Sequence, residues 1–192
     1  MKKGTSNNIM DKLIKFMRKE TKISKKKLHS FIRESNAIEM EYSEEAFEGA
    51  LMAWEYLKEQ SKLSVDTILI VHFLLMKRLR PDIAGKFRTC DVWIGGKRKH
   101  FISVQLIEED INNFLLGMGT SPQLKKEYLE DFVKKSHIDF EAIHPHEDGN
   151  GRVGRLIYQW HRMKLGLPIH IIHADIGTGG NEQRSYYGWF RD

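Results

Sequence analysis

Between His144 and Arg155 the chain reads HPHEDGNGRVGR, which gathers on one short stretch the residue types that could act on a polyphosphate. Gly149 and Gly151 flank Asn150 and leave the backbone free to turn its N–H groups toward an anion at close range. If a helix starts there, its N-terminal amides and dipole add to the same attraction, so a phosphate is the natural occupant. Arg152 and Arg155 are three residues apart, a spacing that brings both guanidinium groups to one side of a helix and onto the same phosphate chain. Asp148 adds a hard oxygen, suited to Mg²⁺, an ion usually held by one or two carboxylates together with phosphate oxygens. His144, at the rim of the loop and with an ordinary pKa near neutrality, has the chemistry to take a proton from an attacking hydroxyl.

Taken singly, these residues have ordinary explanations. A histidine before proline commonly ends a helix, a DGNG run is commonly a turn, and an arginine pair is commonly surface. Their conjunction within one segment, each where the same chemistry needs it, favours a nucleoside triphosphate site with ATP as co-substrate and Mg²⁺ held by Asp148.

The elements around the segment must hold it rigidly, and the sequence supplies helices. Residues 43–60 carry Phe47, Leu51, Trp54 and Leu57 at helical steps, with Glu44 and Glu45 in a first turn that favours negative charge. After Ser64 a second helix puts Ile68, His72, Leu75 and Leu79 on one side and stops before Pro81. A third begins at Ser121-Pro122, a capping residue followed by proline, and runs in one or two pieces through Leu129, Phe132, Val133, Phe140 and Ile143 to Pro145. A further helix follows Gly151 with Val153, Leu156, Ile157 and Trp160 on its buried face and Arg152, Arg155, Gln159 and Arg162 on the other. Residues 10–33 read as one or two more helices. Only residues 87–104, FRTCDVWIGGKRKHFISV, break the pattern: β-forming residues on both sides of Gly95-Gly96 predict a hairpin. The expected fold is mostly α with one β-hairpin. Trp54, Phe140 and Trp160 fall at core spacing.

The segment from His144 to Arg155 resembles the signature of the Fic family, His-x-Phe-x-Asp/Glu-Gly-Asn-Gly-Arg-x-x-Arg, matched by His144, Asp148, Gly149, Asn150, Gly151, Arg152 and Arg155, with His146 in place of phenylalanine. Ala84 to Arg88 and the hairpin at Val92, Trp93, Ile94, Gly95 and Gly96 resemble the family's flap, which implies a target protein docked by strand addition. Ser35-Asn36-Ala37-Ile38-Glu39 resembles the family's inhibitory motif, with Met40 where glycine or asparagine is usual. The resemblance covers residues 35–187 and implies a Fic-type helical bundle.

It also implies transfer of AMP from ATP to a Ser, Thr or Tyr hydroxyl of a protein. His144 would be the base, Asp148 the metal ligand, the loop amides with Asn150, Arg152 and Arg155 the phosphate holders, and Glu39 an inhibitor that pairs with Arg155 beside Ser35. Because methionine is a poor left-handed residue, the inhibitory helix is expected to end later than in relatives, or differently. Two alternatives share these residues: the same scaffold with other chemistry, either removal of AMP or transfer of another nucleotide or phosphate group, and a protein-binding module without chemistry. A complete set of His144, Asp148 and Arg152 argues against the second.

Composition sets the outer limits. With 192 residues, the chain suits a helical segment over residues 1–34 and one compact domain over 35–192. A single Cys90 excludes an internal disulfide framework and favours a reducing, cytoplasmic setting, delivery to another cell being left open. No stretch reaches the roughly 18 apolar residues of a membrane span, so no membrane partner is expected. The formal charge of +5 is spread over mixed runs such as Lys25 to Lys27 and Lys97 to Lys99 that read as solvated surface, and nucleic acid is not expected as a partner. The histidines of the second half match no zinc-binding spacing. Tyr186 and Tyr187 read as packing or surface residues, self-modification and oligomerisation being left open.

Overall fold

The computed structural model describes residues 23–92, 103–119, 125–175 and 181–190. Seven helices occur among them: α1 (Lys25–Ile38), α2 (Glu44–Lys58), α3 (Val65–Met76), α4 (Ile107–Gly119), α5 (Leu129–Ile143), α6 (Asn150–Lys164) and α7 (Glu182–Gly188). The second and third start where the sequence predicts, and α1 begins inside the stretch 10–33 read as one or two helices and runs on to Ile38; each has a serine whose hydroxyl accepts a first-turn amide, Ser24 from Lys27, Ser43 from Ala46 and Ser64 from Thr67. None of the helices among the described residues is long and apolar enough to cross a membrane.

The helices share one core, to which α1 contributes Leu28, Phe31 and Ile32, α2 Phe47, Trp54 and Leu57, α3 Ile68, Val71 and Leu75, α4 Ile111 and Phe114, and α5 Phe140 and Ile143. Trp54, Phe140 and Trp160 are buried, as their spacing implied. At the centre lies α6, which touches α1, α2, α3 and α5. Twelve of its fifteen residues are buried, so the face that carries Arg152, Arg155, Gln159 and Arg162 is enclosed by protein as well. Where α2 crosses α3 a glycine is obligatory, because a Cβ at Gly49 would come within 2.8 Å of the Leu75 carbonyl oxygen.

Two expectations change. A helix at 107–119 occupies a stretch that the sequence left unassigned, with Ile107, Ile111 and Phe114 facing the core. And α1 ends at Ile38, neither later nor differently: the Glu41 N–H donates to the Asn36 carbonyl (3.0 Å) and the Met40 N–H to the Ala37 carbonyl (2.9 Å). This is a Schellman cap, which needs a left-handed residue, and Met40 supplies it at φ +56°. The flap hairpin falls mostly on residues 93–102, outside the described residues, as do Trp93, Ile94, Gly95, Gly96 and the Ser121-Pro122 pair. Val92, at the edge of that stretch, is buried, and residues 87–92 form no strand.

Beyond α6, the chain returns through 165–175 and α7 to fasten the end of α1. The Ala174 N–H donates to Glu34 (2.9 Å) and the Gln183 amide to the Ile38 carbonyl (3.5 Å), while Ile38, Ile172 and Tyr186 close a small apolar cluster. The C-terminal end of α1 is thereby pinned against α6.

Candidate active site

The loop between α5 and α6 is held from four directions. His144 caps α5 in a left-handed conformation, φ +48°, a costly geometry for a side chain with a Cβ. Arg88 supports it: its Nε donates to the His144 carbonyl (2.8 Å), its N–H to the Pro145 carbonyl (2.9 Å), and its Nη1 to the Cys90 carbonyl (3.1 Å). Inside the loop, the Asn150 side chain closes a two-way bridge, accepting from the His146 N–H and donating to the His146 carbonyl, both at 2.8 Å. Asn150 therefore stiffens the loop here and does not extend toward a ligand.

Beneath the loop, His146 stacks on His72 with ring centroids 3.8 Å apart and planes within 10°. Both rings are fully buried. The Gly85 N–H donates to His72 Nδ1 (3.0 Å), so the proton of this ring lies on Nε2 and is donated to the Asp148 carbonyl (3.1 Å). His146 uses its Nδ1–H toward the Lys86 carbonyl (2.8 Å). Burial holds both below the usual histidine range, His72 at about 4. A histidine in place of the family phenylalanine thus does the same packing as a neutral ring, with a hydrogen bond added.

The mouth of α6 is shaped for an anion. Gly149 stands at φ +79°, where a Cβ would also meet the Met76 sulfur at 2.9 Å. No side chain caps this helix, so its first-turn amides have no intrahelical acceptor. Arg152 is buried among them, with Nε and Nη1 lacking any hydrogen-bond partner among the described residues and Nη2 between the Met76 sulfur (3.4 Å) and the Asp148 carboxylate. Burial lowers its pKa, outweighing the opposing pull of the Asp148, Glu39 and Glu41 carboxylates. The Asp148 carboxylate is 3.9 Å away and half-exposed, with Oδ1 accepting the Gly149 N–H at 2.6 Å. One accessible carboxylate beside a buried, under-satisfied guanidinium fits a Mg²⁺ that takes most of its ligands from phosphate.

Arg155 is the opposite case. Its guanidinium is buried, and its donors are engaged: Nε to the Ser35 hydroxyl (2.9 Å), Nη2 to the Ser35 carbonyl (2.9 Å) and the Glu39 carboxylate (2.7 Å), Nη1 to the Tyr186 hydroxyl (3.2 Å). A Cβ at Gly151 would lie 2.4 Å from the Glu39 oxygen, so the carboxylate rests directly on the loop. Further along α6, Arg162 pairs with Glu130 and donates to the Pro168 carbonyl, and Gln159 bonds the backbone of His170. Those two side chains are structural.

His144 hangs beside this loop with its Nδ1 3.3 Å from the carbonyl of Glu141. A carbonyl only accepts, so Nδ1 carries the proton and Nε2 is the basic nitrogen. Burial pushes the imidazole down to about 4, so the near-neutral value expected from the sequence does not hold and the ring is neutral at physiological pH.

Arg88 and His72 were legible only as types. A lone histidine in the otherwise apolar VDTILIVHFLLM was the available signal for one, an arginine between Phe87 and the hairpin for the other.

Among curated proteins, the chain is similar to protein adenylyltransferase fic-1 of Caenorhabditis elegans, 29% identical over 118 residues, 62% of this chain and 23% of that protein. It is also similar to protein adenylyltransferase Fic of Nematostella vectensis, 27% identical over 123 residues, 60% of this chain and 26% of that protein. The chain thus spans about a quarter of the length of these relatives. Among solved structures, the fold matches a fragment of Fic-1 from C. elegans with a TM-score of 0.68 at 17% identity, covering 95% of this chain and 62% of that one. It also matches a Fic domain containing signaling protein from Bacteroides thetaiotaomicron with a TM-score of 0.70 at 15% identity, covering 93% and 79%. Residues 62–161 match the family model of the Fic/DOC family, more than half of the sequence, and the chain belongs to that family.

Proposed function

We propose that this protein transfers AMP from ATP to a Ser, Thr or Tyr hydroxyl of a protein substrate, and that Glu39 restrains it. The observation that carries the proposal is the contrast between two buried arginines on one helix: Arg152 has two nitrogens without hydrogen-bond partners, and Arg155 has all three nitrogens bonded to protein. A guanidinium left under-satisfied beside uncapped helix amides has a phosphate as its fitting ligand. Family membership and relatives named protein adenylyltransferases support the same reading.

In the reaction, Nε2 of His144 takes the proton of the target hydroxyl as its oxygen attacks the α-phosphorus of ATP. The bond between that phosphorus and the oxygen bridging to the β-phosphate breaks, and pyrophosphate departs. Arg152 and the first-turn amides of α6 hold the phosphate chain and offset its charge, a type of stabilisation that gains strength from burial. Asp148 would hold Mg²⁺, which neutralises charge on the departing pyrophosphate. Arg88, His72 and the Asn150 bridge keep base and loop in fixed relation, and orientation of this kind accounts for much of an enzyme's advantage.

Restraint follows from competition for Arg155. A γ-phosphate that needs this guanidinium meets a carboxylate already 2.7 Å from it. Holding 99% of molecules blocked needs only about 2.7 kcal/mol in favour of the pair. The flap beyond Val92 would seat the target, and the chain itself is a candidate target.

The test is intact-mass spectrometry after incubation with Mg²⁺-ATP. Glu39→Gly is expected to gain the mass of AMP faster than wild type, and Glu39→Gly with His144→Ala to gain none. Unmodified Glu39→Gly that still binds ATP by calorimetry, with no AMP transferred to any added protein, would overturn the proposal.

A further inference from the structure

One carboxyl group beside the base has no structural employment. Glu141 lies one turn before His144 on α5, and its Oε1 has no hydrogen-bond partner among the described residues. Its Oε2 is 4.0 Å from Nδ1 of His144. The side chain is only 12% exposed. The opposing helix makes room for it: a Cβ at Gly154 of α6 would come within 2.2 Å of Oε1 and 3.1 Å of the His137 ring. Glycine at 154 therefore opens a slot in which the carboxyl sits against bare backbone. Burying a carboxyl with an unsatisfied oxygen works against folding, so its retention beside the reacting nitrogen points to the reaction.

We infer that Glu141 is a positioning residue: its backbone carbonyl orients the His144 ring through Nδ1, while its carboxyl, lodged against Gly154 and 4.0 Å from Nδ1, sets by its change of charge how readily Nε2 accepts the proton of the target hydroxyl. The inference rests on the assignment of His144 as base. As a neutral acid, Glu141 leaves the imidazole weakly basic. Once ionised, it sets a negative charge close to Nδ1, and the imidazolium formed when Nε2 takes the hydroxyl proton is stabilised. That proton stays on Nε2 until it passes to solvent, and nothing is oxidised or reduced.

The groups that bear on Glu141 come from every neighbouring element. Arg155 of α6 favours its charged form, whereas Glu39 after α1 disfavours it. His137 and His144 share its helix, and the Tyr186 hydroxyl of α7 lies between Arg155 and His137. Burial is the largest influence and pushes the carboxyl up to about 8. Removing Glu39 lowers that value, since Arg155 is then opposed by burial alone.

The experiment uses the full chain in two arms. Carbon NMR with carboxyl-labelled glutamate is expected to show one resonance titrating near 8, absent in Glu141→Gln and shifted toward the ordinary 4.5 in Glu39→Gly. In the Glu39→Gly background, the pH profile of AMP transfer is expected to show a rise of roughly threefold or more across the lowered titration that NMR reads for Glu141 in that variant. Glu141→Gln should lose the rise and Glu141→Asp should keep it. A Glu141→Gln profile that superimposes on its parent, or Glu141→Gln and Glu141→Asp profiles equally flattened, overturns the inference while the assignment of His144 stands. Undiminished transfer by His144→Ala overturns the base assignment, and the inference with it.

Discussion

Met40→Gly removes an 80% exposed side chain from a residue held at φ +56° at the end of α1. Little burial is forfeited, so the balance is set by the backbone. A left-handed conformation costs a residue with a Cβ about 1–2 kcal/mol, which glycine does not incur. Against this, glycine has more freedom to lose on folding, about 0.5–1 kcal/mol. The two hydrogen bonds of the cap are main-chain and survive the change. The expected result is a gain of about 0.5–1 kcal/mol, read in urea unfolding as a midpoint raised by roughly 0.3–0.5 M at unchanged slope. Met40→Ala is the control: it keeps the strained backbone and should fall within about 0.5 kcal/mol of wild type. If Met40→Gly were no more stable than Met40→Ala, the left-handed cap would not be carrying the strain assigned to it. Because Glu39 is the adjacent residue, a relaxed cap also holds its carboxylate more firmly, and basal AMP transfer should fall in the same variant.

Three other outcomes follow. Burial depresses His72, His144 and His161 to about 4 and His137 to about 3; the unfolded chain protonates these residues below the ordinary histidine value of 6.5 and the native state does not, so their contribution is whole above 6.5 and lost as pH falls toward 4 and then 3. Urea midpoints should therefore drop steeply across that window, and replacing His161 by phenylalanine should flatten the drop. Gly49→Ala drives a Cβ toward the Leu75 carbonyl oxygen and should cost about 1–3 kcal/mol in the same assay. Hydrogen exchange along α1 should be the same in Glu39→Gly as in wild type, within the resolution of the method.

The site was legible because its residues are contiguous. A loop and the helix after it carry their relations in sequence order, so the roles of Gly149 and the spacing of Arg152 and Arg155 followed from local geometry. What lies opposite was not legible. Nothing local says that Arg88 bonds the carbonyl of His144 56 positions away or that His72 reaches the Asp148 carbonyl 76 positions away. The burial of the α6 helix was hidden for the same reason. Its arginines sit at amphipathic spacing, which ordinarily marks a solvated face, but partners from α1, α5 and α7 surround it on every side. The helix at 107–119 was passed over because its apolar residues are only Ile107, Ile111, Phe114, Leu115, Leu116 and Met118 amid acids and asparagines, a thin stripe between a hairpin pattern and a proline. Met40 shows the limit of propensity: a tertiary arrangement that pins Ile38 and Glu34 on the C-terminal residues fixes where α1 ends, and methionine accepts the strain.

The pinning also bears on how the proposed restraint would be released. Lifting α1 off the domain would expose Leu28, Phe31 and Ile32, about 1.5–3 kcal/mol for each side chain, and so roughly 5–9 kcal/mol together. It would also break the contacts of Glu34 and Ile38 with the C-terminal segment. The competition at Arg155 needs only about 2.7 kcal/mol for a hundredfold block. A restraint of that size, released by undocking a helix about two to three times more costly to move, would never be released by a phosphate that gains the one guanidinium. Arg155 points to the cheaper route: without Glu39 it keeps its bonds to the Ser35 hydroxyl, the Ser35 carbonyl and Tyr186. The Glu39 side chain is 37% exposed and sits past the last turn of α1. It can rotate into water with the helix in place, leaving the Nη2 donor that Glu39 held, and the second N–H of Nη1, for a phosphate. On this argument the restraint is a side-chain event on a fixed scaffold, which is why exchange along α1 is the measurement that separates it from a helix that swings away.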